Sequence, residues 1–452
     1  MTVVRIPPTL RTEVGGARQV EADGDTVREV LDDLVDRHPA LAPQILQDGG
    51  IAPFVNVYVG GEDVRTLDGL DTSVPVGGTV ILLPAMAGGS PRPPAGGLPP
   101  GRARLRPPRD APPALVGDPY SHTVPPPLTA AAPRRERREG GLVAGSLLDL
   151  IGSTPLVELP RLSPKSSVKL YAKLEGQNPT GSIKDRVAKA MIESAEASGE
   201  LEPGRALLEP TSGNTGISLA LVAALKGYPL TCVIPENATP ERKRLLRLYG
   251  ADLVLSPAAE GSNGAVRLAL ELAEADPRWF VPFQYANEAN PRAHYEGTGA
   301  EIVDALERVD VLVAGLGTGG TLMGAGERVR EAFPDVIVAA AEPLPGDPVM
   351  GLRSLDDGYV PPILDVAKLD RKVLVSNEES VEAMRDLLHL EGLFAGVSAG
   401  AVVAVARRLA AELDEGVVVT ILADAGWKYL SADFWDADED AVAASMERTV
   451  WW

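Results

Sequence analysis

The sequence is poor in three things: cysteine, net positive charge and long apolar runs. A single cysteine in 452 residues, Cys232, excludes an intrachain disulfide and any thiolate metal cluster. It lies in the apolar run Leu230 to Ile234, where a buried structural thiol is expected rather than redox chemistry. No metal site is expected. Asp and Glu number 63 against 43 Lys and Arg, a formal charge of -20. That balance argues against nucleic acid or an anionic membrane as partner, because phosphate-rich surfaces reward clustered cations. Any basic site must therefore be local. No uninterrupted apolar stretch approaches the length of a membrane span. The N-terminus meets Arg5 and Pro7 before any apolar leader core can form, so a cytoplasmic protein is expected.

What is present is a globular composition, 45% hydrophobic, and enough length for two or three domains. Residues 90–140 are dense in Pro, Gly, Ala and Arg, as in Pro125-Pro126-Pro127 and Arg134-Arg135. Such a stretch cannot bury a core, and its prolines favour extended segments, so a disordered, semi-stiff linker is expected there. It separates a small unit, residues 1–89, from a large one, residues 141–452.

In the small unit Val3 to Ile6 and Gln19 to Ala22 read as short strands, and Thr26 with Glu29 makes a capping box. Val27, Val30, Leu31, Leu34 and Val35 then share one face of an amphipathic helix. Two more strand-like runs follow, Phe54 to Val59 and Thr79 to Leu83. The large unit alternates strand candidates (Leu230 to Ile234, Val311 to Ala314, Val336 to Ala340, Val417 to Ile421) with helical patterns. Alternation of this kind implies a parallel sheet covered on both faces, with chemistry in the loops directly after the strands.

Four strings carry chemistry. Asn178-Pro179-Thr180-Gly181-Ser182-Ile183-Lys184-Asp185-Arg186 sets one lysine just before a helical stretch. Glu209-Pro210-Thr211-Ser212-Gly213-Asn214-Thr215-Gly216 follows a strand and opens a helix, where free N–H groups and small hydroxyls favour an anion. Gly317-Thr318-Gly319-Gly320-Thr321 follows Val311 to Ala314, and a glycine turn there lets amides and two hydroxyls surround a phosphate. Its spacing does not meet the dinucleotide fingerprint. Ser398, in Gly396-Val397-Ser398-Ala399-Gly400, reads on its own as a helix cap.

In this order the strings closely resemble the fold-type II pyridoxal-phosphate enzymes, and within them the cysteine synthases. The likeness spans roughly residues 145–430. It implies an α/β enzyme with two α/β subdomains, preceded by a small α+β domain. It implies that Lys184 bonds the cofactor, pyridoxal phosphate, and is the general base that removes the substrate α-proton. It places Asn214 on the phenolic oxygen of the cofactor, Gly317, Thr318, Gly319, Gly320 and Thr321 around its phosphate, and Ser398 at its pyridine nitrogen. A neutral hydroxyl at that nitrogen makes a weak electron sink and favours β-replacement over transamination. Thr211, Ser212, Gly213, Thr215 and Gln284 are implied to hold the substrate carboxylate. The resemblance also suggests a homodimer.

Arg353 resembles the arginine by which a subset of these synthases binds the phosphate of O-phosphoserine. A guanidinium offers paired donors to a dianionic leaving group. O-acetylserine with sulfide is the alternative, and a surface arginine paired with Asp356 or Asp357 is the plain reading of the residue. The small unit, ending Met86-Ala87-Gly88-Gly89, resembles the ubiquitin-like β-grasp sulfur carriers. Such carriers act as a C-terminal thiocarboxylate, whereas Gly89 here is followed by Ser90. Sulfur transfer through Gly88 and Gly89 thus requires a protease and a carrier-activating enzyme; otherwise the unit is a passive or docking module. The chain ends Val450-Trp451-Trp452, an aromatic tail expected either to be disordered or to fold over the active site.

Overall fold

The computed structural model describes residues 2–84, 136–138, 141–430 and Trp435, apart from Pro7, Arg18, Asp48, Pro53, Phe54, Val76, Ser212, Thr239, Gly346 and residues 356–359. Ser212, Gly88, Gly89, Trp451, Trp452 and most of the expected linker lie outside the described residues.

The amphipathic stretch after Thr26 is the helix Val27–Arg37, with Val27, Val30, Leu31 and Leu34 buried. The Thr26 hydroxyl accepts the Glu29 N–H. The Glu29 carboxylate reaches back to the N–H of Asp25 at 2.8 Å, one residue earlier than the capping box predicts. The helix packs on a sheet of Thr2–Arg5, Gln19–Ala22, Val55–Val59 and Thr79–Pro84, with Thr2–Arg5 and Thr79–Pro84 parallel at its centre. This is the β-grasp arrangement that the strand order implies.

The large unit has two sheets. A four-stranded one, all parallel, runs Asp252–Ser256, Leu230–Pro235, Ala206–Pro210, Trp279–Phe280. The other runs Leu156–Glu158, Val168–Leu174, Gly416–Leu422, Val311–Gly315, Ile337–Pro343, Arg371–Val375, and is parallel except at Leu156–Glu158. Central strands such as Leu230–Pro235 are buried throughout, as parallel strands covered on both faces should be. Cys232 is fully buried and desolvation raises its thiol pKa, which suits an inert core residue. None of the helices among the described residues is long and apolar enough to cross a membrane, and these residues hold no cluster of metal-ligating side chains.

Two expectations need correction. The stretch assigned to the linker contains a strand, Glu136–Arg138, paired antiparallel with Gly141–Val143; local strand pairing overrides the proline-rich composition around it. Ser398 is no cap: the helix runs Val397–Glu412 with Gly396 as its cap, so Ser398 is in its first turn.

The small and large units share one sheet of eleven strands. The hairpin after Val55–Val59 returns as Glu62–Asp63, and Glu62 pairs antiparallel with Val373 at the edge of the large unit's six strands. Gly61 makes this possible. Its φ is +87°, and a Cβ there would lie 2.6 Å from the Leu374 carbonyl oxygen. The Leu374 N–H donates to the Gly61 carbonyl, and Arg371 donates two hydrogen bonds to Glu62.

Candidate active site

Lys184 is held by a turn laced to a distant strand exit. Gly181, with φ +81°, closes the turn by donating its N–H to Asn178. The Ile183 N–H donates to Ala423 at 2.8 Å and the Ala425 N–H donates to Gly181 at 3.0 Å. A Cβ on Gly181 would stand 2.8 Å from Trp427, so the contact admits glycine alone. Asp185 pins the other side, accepting from the Thr180 N–H and the Thr180 and Ser218 hydroxyls. The Lys184 amine lines a pocket between the two subdomains, and desolvation lowers its pKa to about 8. Behind the turn, Arg186 bridges Glu175 and Glu301, and Lys173 also pairs with Glu301. Burial alone would raise the Glu301 pKa, but Arg186 and Lys173 outweigh it and hold it at about 2.

The second string arrives from the four-stranded sheet. Ala206–Pro210 ends at Thr211, and the helix Asn214–Lys226 points its N-terminus into the pocket, where Thr211, Gly213, Asn214 and Thr215 form one wall. Gln284 stands beside them. The Thr215 hydroxyl donates to its side-chain oxygen at 2.7 Å. Gln284 is fixed from behind by Glu209, which accepts the N–H of Phe283 at 2.8 Å and of Gln284 at 3.1 Å. Phe283 takes a positive φ of 50° at this bend.

The opposite wall is the glycine turn and the N-terminus of the helix Gly320–Ala332, with Gly317, Thr318, Gly319 and Thr321 facing the pocket. Gly320 stands behind the wall, packed so closely on Asn290 that a Cβ would fall 2.0 Å from its side-chain oxygen. The Thr321 hydroxyl lies 3.3 Å from His294, which begins the π-helical turn His294–Gly299. Burial, with the positive charges of Lys184 and Arg186, holds that imidazole neutral. Ser398 and Arg353 complete the lining, the Arg353 guanidinium 5.4 Å from the Tyr285 ring centre.

A third group was not foreseen from the sequence. Asp424, at the exit of Gly416–Leu422, accepts from Asn214 at 2.7 Å and from the Tyr429 hydroxyl. Lys428 donates to the Asn214 side-chain oxygen at 2.7 Å, and desolvation lowers its pKa to about 8. Asn214 therefore has its carbonyl engaged by a cation and its amide by a carboxylate, which fixes the orientation of the group. Arg242 also lines this side of the pocket. The signal available was position: Asp424-Ala425-Gly426-Trp427-Lys428-Tyr429 follows a buried strand directly.

These residues fit pyridoxal phosphate. A deprotonatable amine, a hydroxyl at a helix start and an oriented amide surround one pocket. The glycine turn packs tightly on its outer side, where a Cβ on Gly317 would meet the Gly351 carbonyl at 3.2 Å and one on Gly319 would meet Leu364 at 2.9 Å, and with Thr318 and Thr321 it offers backbone and hydroxyl donors suited to a phosphate. Comparison with known proteins agrees. The family described as pyridoxal-phosphate dependent enzyme matches residues 147–424, and the ThiS family matches residues 4–89. Cysteine synthase B of Pseudomonas aeruginosa is 43% identical over 292 residues, 64% of this chain and 97% of that protein. Among solved structures, O-ureido-L-serine synthase is 40% identical with a TM-score of 0.62, covering 67% of this chain and 99% of that one. A cysteine synthase from Entamoeba histolytica is 28% identical at a TM-score of 0.62, covering 71% and 98%.

Glu209 offers a pH test of this packing. Desolvation raises its pKa from 4.5 to about 7, in spite of its two N–H donors. Between those values the folded protein keeps a proton that the unfolded chain has lost, so stability falls as pH rises through the window, by roughly 3 kcal/mol. Urea midpoints measured at about pH 5 and about pH 8 should fall for the native protein, and Glu209→Gln should lack that part of the fall.

Proposed function

The chain belongs to the pyridoxal-phosphate-dependent enzymes, and from that membership we propose that it makes cysteine by β-replacement on O-phosphoserine, with sulfur delivered by a thiocarboxylated carrier. The cysteine-synthase type rests on the relatives above, and an N-terminal ThiS domain precedes the catalytic one. The observation that carries the substrate reading is Arg353, a guanidinium in the wall of a pocket whose helix N-termini already favour anions.

Pyridoxal phosphate, when bound, supplies the electron sink that makes the Cα–H and Cβ–O bonds of an activated serine breakable. The protein does the rest. Thr211, Thr215 and Gln284, with the amides at the start of Asn214–Lys226, hold the substrate carboxylate. Asn214, oriented by Asp424 and Lys428, and Ser398 would hold the cofactor ring; Gly317, Thr318, Gly319 and Thr321 would hold its phosphate, with Gly320 packed on Asn290 behind them. The Lys184 amine, with a pKa of about 8, is basic enough to take the α-proton and near enough to neutrality to be free when needed. Arg353 bears on the phosphate that leaves as Cβ–O breaks, before sulfur bonds to Cβ. The alternative, O-acetylserine with sulfide, needs all of these except Arg353, and the stacking of Arg353 on Tyr285 gives that arginine a structural role in such an enzyme.

Delivery by the carrier is constrained by topology. Thr79–Pro84 runs antiparallel to Arg371–Val375, so its exit points away from the strand exits that form the pocket. Five strand spacings separate it from Val311–Gly315, about 24 Å. The five residues from Ala85 to Gly89 span at most about 18 Å. A docked small unit is thus too short in the tail for its own pocket, and the carrier serves only after release at Gly89, which its thiocarboxylate also requires.

Lys184→Ala should abolish turnover and the visible absorption of lysine-bound cofactor while circular dichroism stays native; retained absorption would count against Lys184. Arg353→Ala should lower kcat/KM for O-phosphoserine by roughly 10- to 150-fold, the worth of a hydrogen bond to a charged group, and leave O-acetylserine nearly unchanged. Equal losses would favour the alternative. Intact mass of protein from its own cell should show a fragment ending at Gly89, heavier when its carboxyl is a thiocarboxylate. Full-length chain alone would assign the sulfur to another donor.

A further inference from the structure

A line of buried polar groups joins the small unit to the loop that bears Arg353. It begins at Tyr58, which is fully buried on the sheet face of the small unit. The Lys372 amine donates to the Tyr58 hydroxyl at 3.3 Å and lies 5.7 Å from the centre of its ring. The same amine is 3.5 Å from the carboxylate of Glu342, itself fully buried. Glu342 accepts the N–H of Leu355 at 2.7 Å and the Ser354 hydroxyl at 3.4 Å. Arg353, the next residue back, is tied on its other side by its own N–H to the Leu316 carbonyl at 2.7 Å.

Each step has a physical reason to depend on the one before. A carboxylate in the core is tolerable only with a cation and hydrogen-bond donors around it. Lys372 is that cation, and it lies on the outermost strand of the catalytic sheet, where water would reach it if the small unit were absent. Tyr58, Ile81 and Leu374 form the apolar cluster that covers it. Docking of the small unit thereby removes solvent from the Lys372–Glu342 pair, strengthens it, and fixes the acceptor that holds Leu355 and Ser354.

We propose that Lys372 and Glu342 are positioning residues for Arg353, and that the docked small unit completes them through Tyr58, so that its docking tunes the affinity of the catalytic domain for a substrate with an anionic leaving group. The substrate part rests on Arg353 as the leaving-group contact. The positioning part does not.

The test uses the full chain with cofactor bound. Tyr58→Phe removes one hydroxyl and keeps the ring. It should raise KM for O-phosphoserine roughly two- to thirtyfold, the span of couplings carried by packed networks, with kcat and the KM for O-acetylserine unchanged. Without substrate, amide exchange at Leu355 should quicken in the same variant. Lys372→Met should show both effects more strongly, and adding Tyr58→Phe to it should change neither further, since the two act in series. Quicker exchange with no change in KM, in a protein where Arg353→Ala also leaves substrate preference unaltered, would remove Arg353 as the leaving-group contact and keep the positioning. Unchanged exchange and KM in Tyr58→Phe, or additive effects in the double variant, would overturn the coupling itself.

Discussion

The pocket depends on the clamp between the Gly181 turn and the exit of the Gly416–Leu422 strand. Two backbone hydrogen bonds, Ile183 to Ala423 and Ala425 to Gly181, fix where the helix of Lys184 begins relative to the central strand of the larger sheet. That strand delivers Asp424, and Asp424 receives Asn214 from the other sheet. One contact thus sets the amine, the carboxylate and the amide in a common frame. The buried charges behind it, Lys173, Glu175, Arg186 and Glu301, stiffen the turn on its inner side. Their desolvation is offset by mutual pairing, so rigidity follows from the same groups that cost free energy to bury.

Strand exits made the site legible. Thr211, Gly317 and the glycine turn were recognisable in the sequence because each follows a run of buried aliphatic residues, and a parallel sheet places such exits side by side. The helix Val27–Arg37 was legible through its repeat of Val27, Val30, Leu31 and Leu34, set by packing on a single face. The polar cluster of Asp424, Lys428 and Tyr429 was not. Its residue types are ordinary on any surface, and their meeting with Asn214 joins positions 210 apart in the chain, which no local periodicity encodes. The union of the two sheets was hidden for a similar reason. It rests on the two-residue strand Glu62–Asp63 and on a pair, Arg371 with Glu62, 309 residues apart. The cap reading of Ser398 failed more narrowly, by two residues, because glycine at position 396 serves as the cap.

The two helix N-termini that face the pocket, at Asn214 and Gly320, bring partial positive charge to opposite walls. With Lys184, Arg242 and Arg353 in the lining, against the single lining carboxylate of Asp424, they make a cationic interior in a protein of charge -20. The field inside therefore opposes the field outside. An anionic substrate is drawn by the first only at close range, since salt screens surface charge beyond about 8 Å.

The shared sheet has one more consequence, for solubility. Arg371–Val375 is an outer strand of the catalytic sheet, with Val373, Leu374 and Val375 buried under the small unit and its neighbours. Uncovered, it would present free backbone donors and acceptors beside apolar side chains, a template for edge-to-edge aggregation. The small unit is the guard against that, and its covalent attachment to the catalytic domain keeps it at high local concentration beside the edge. A molecule that gives up its N-terminal unit also gives up its protection against self-association.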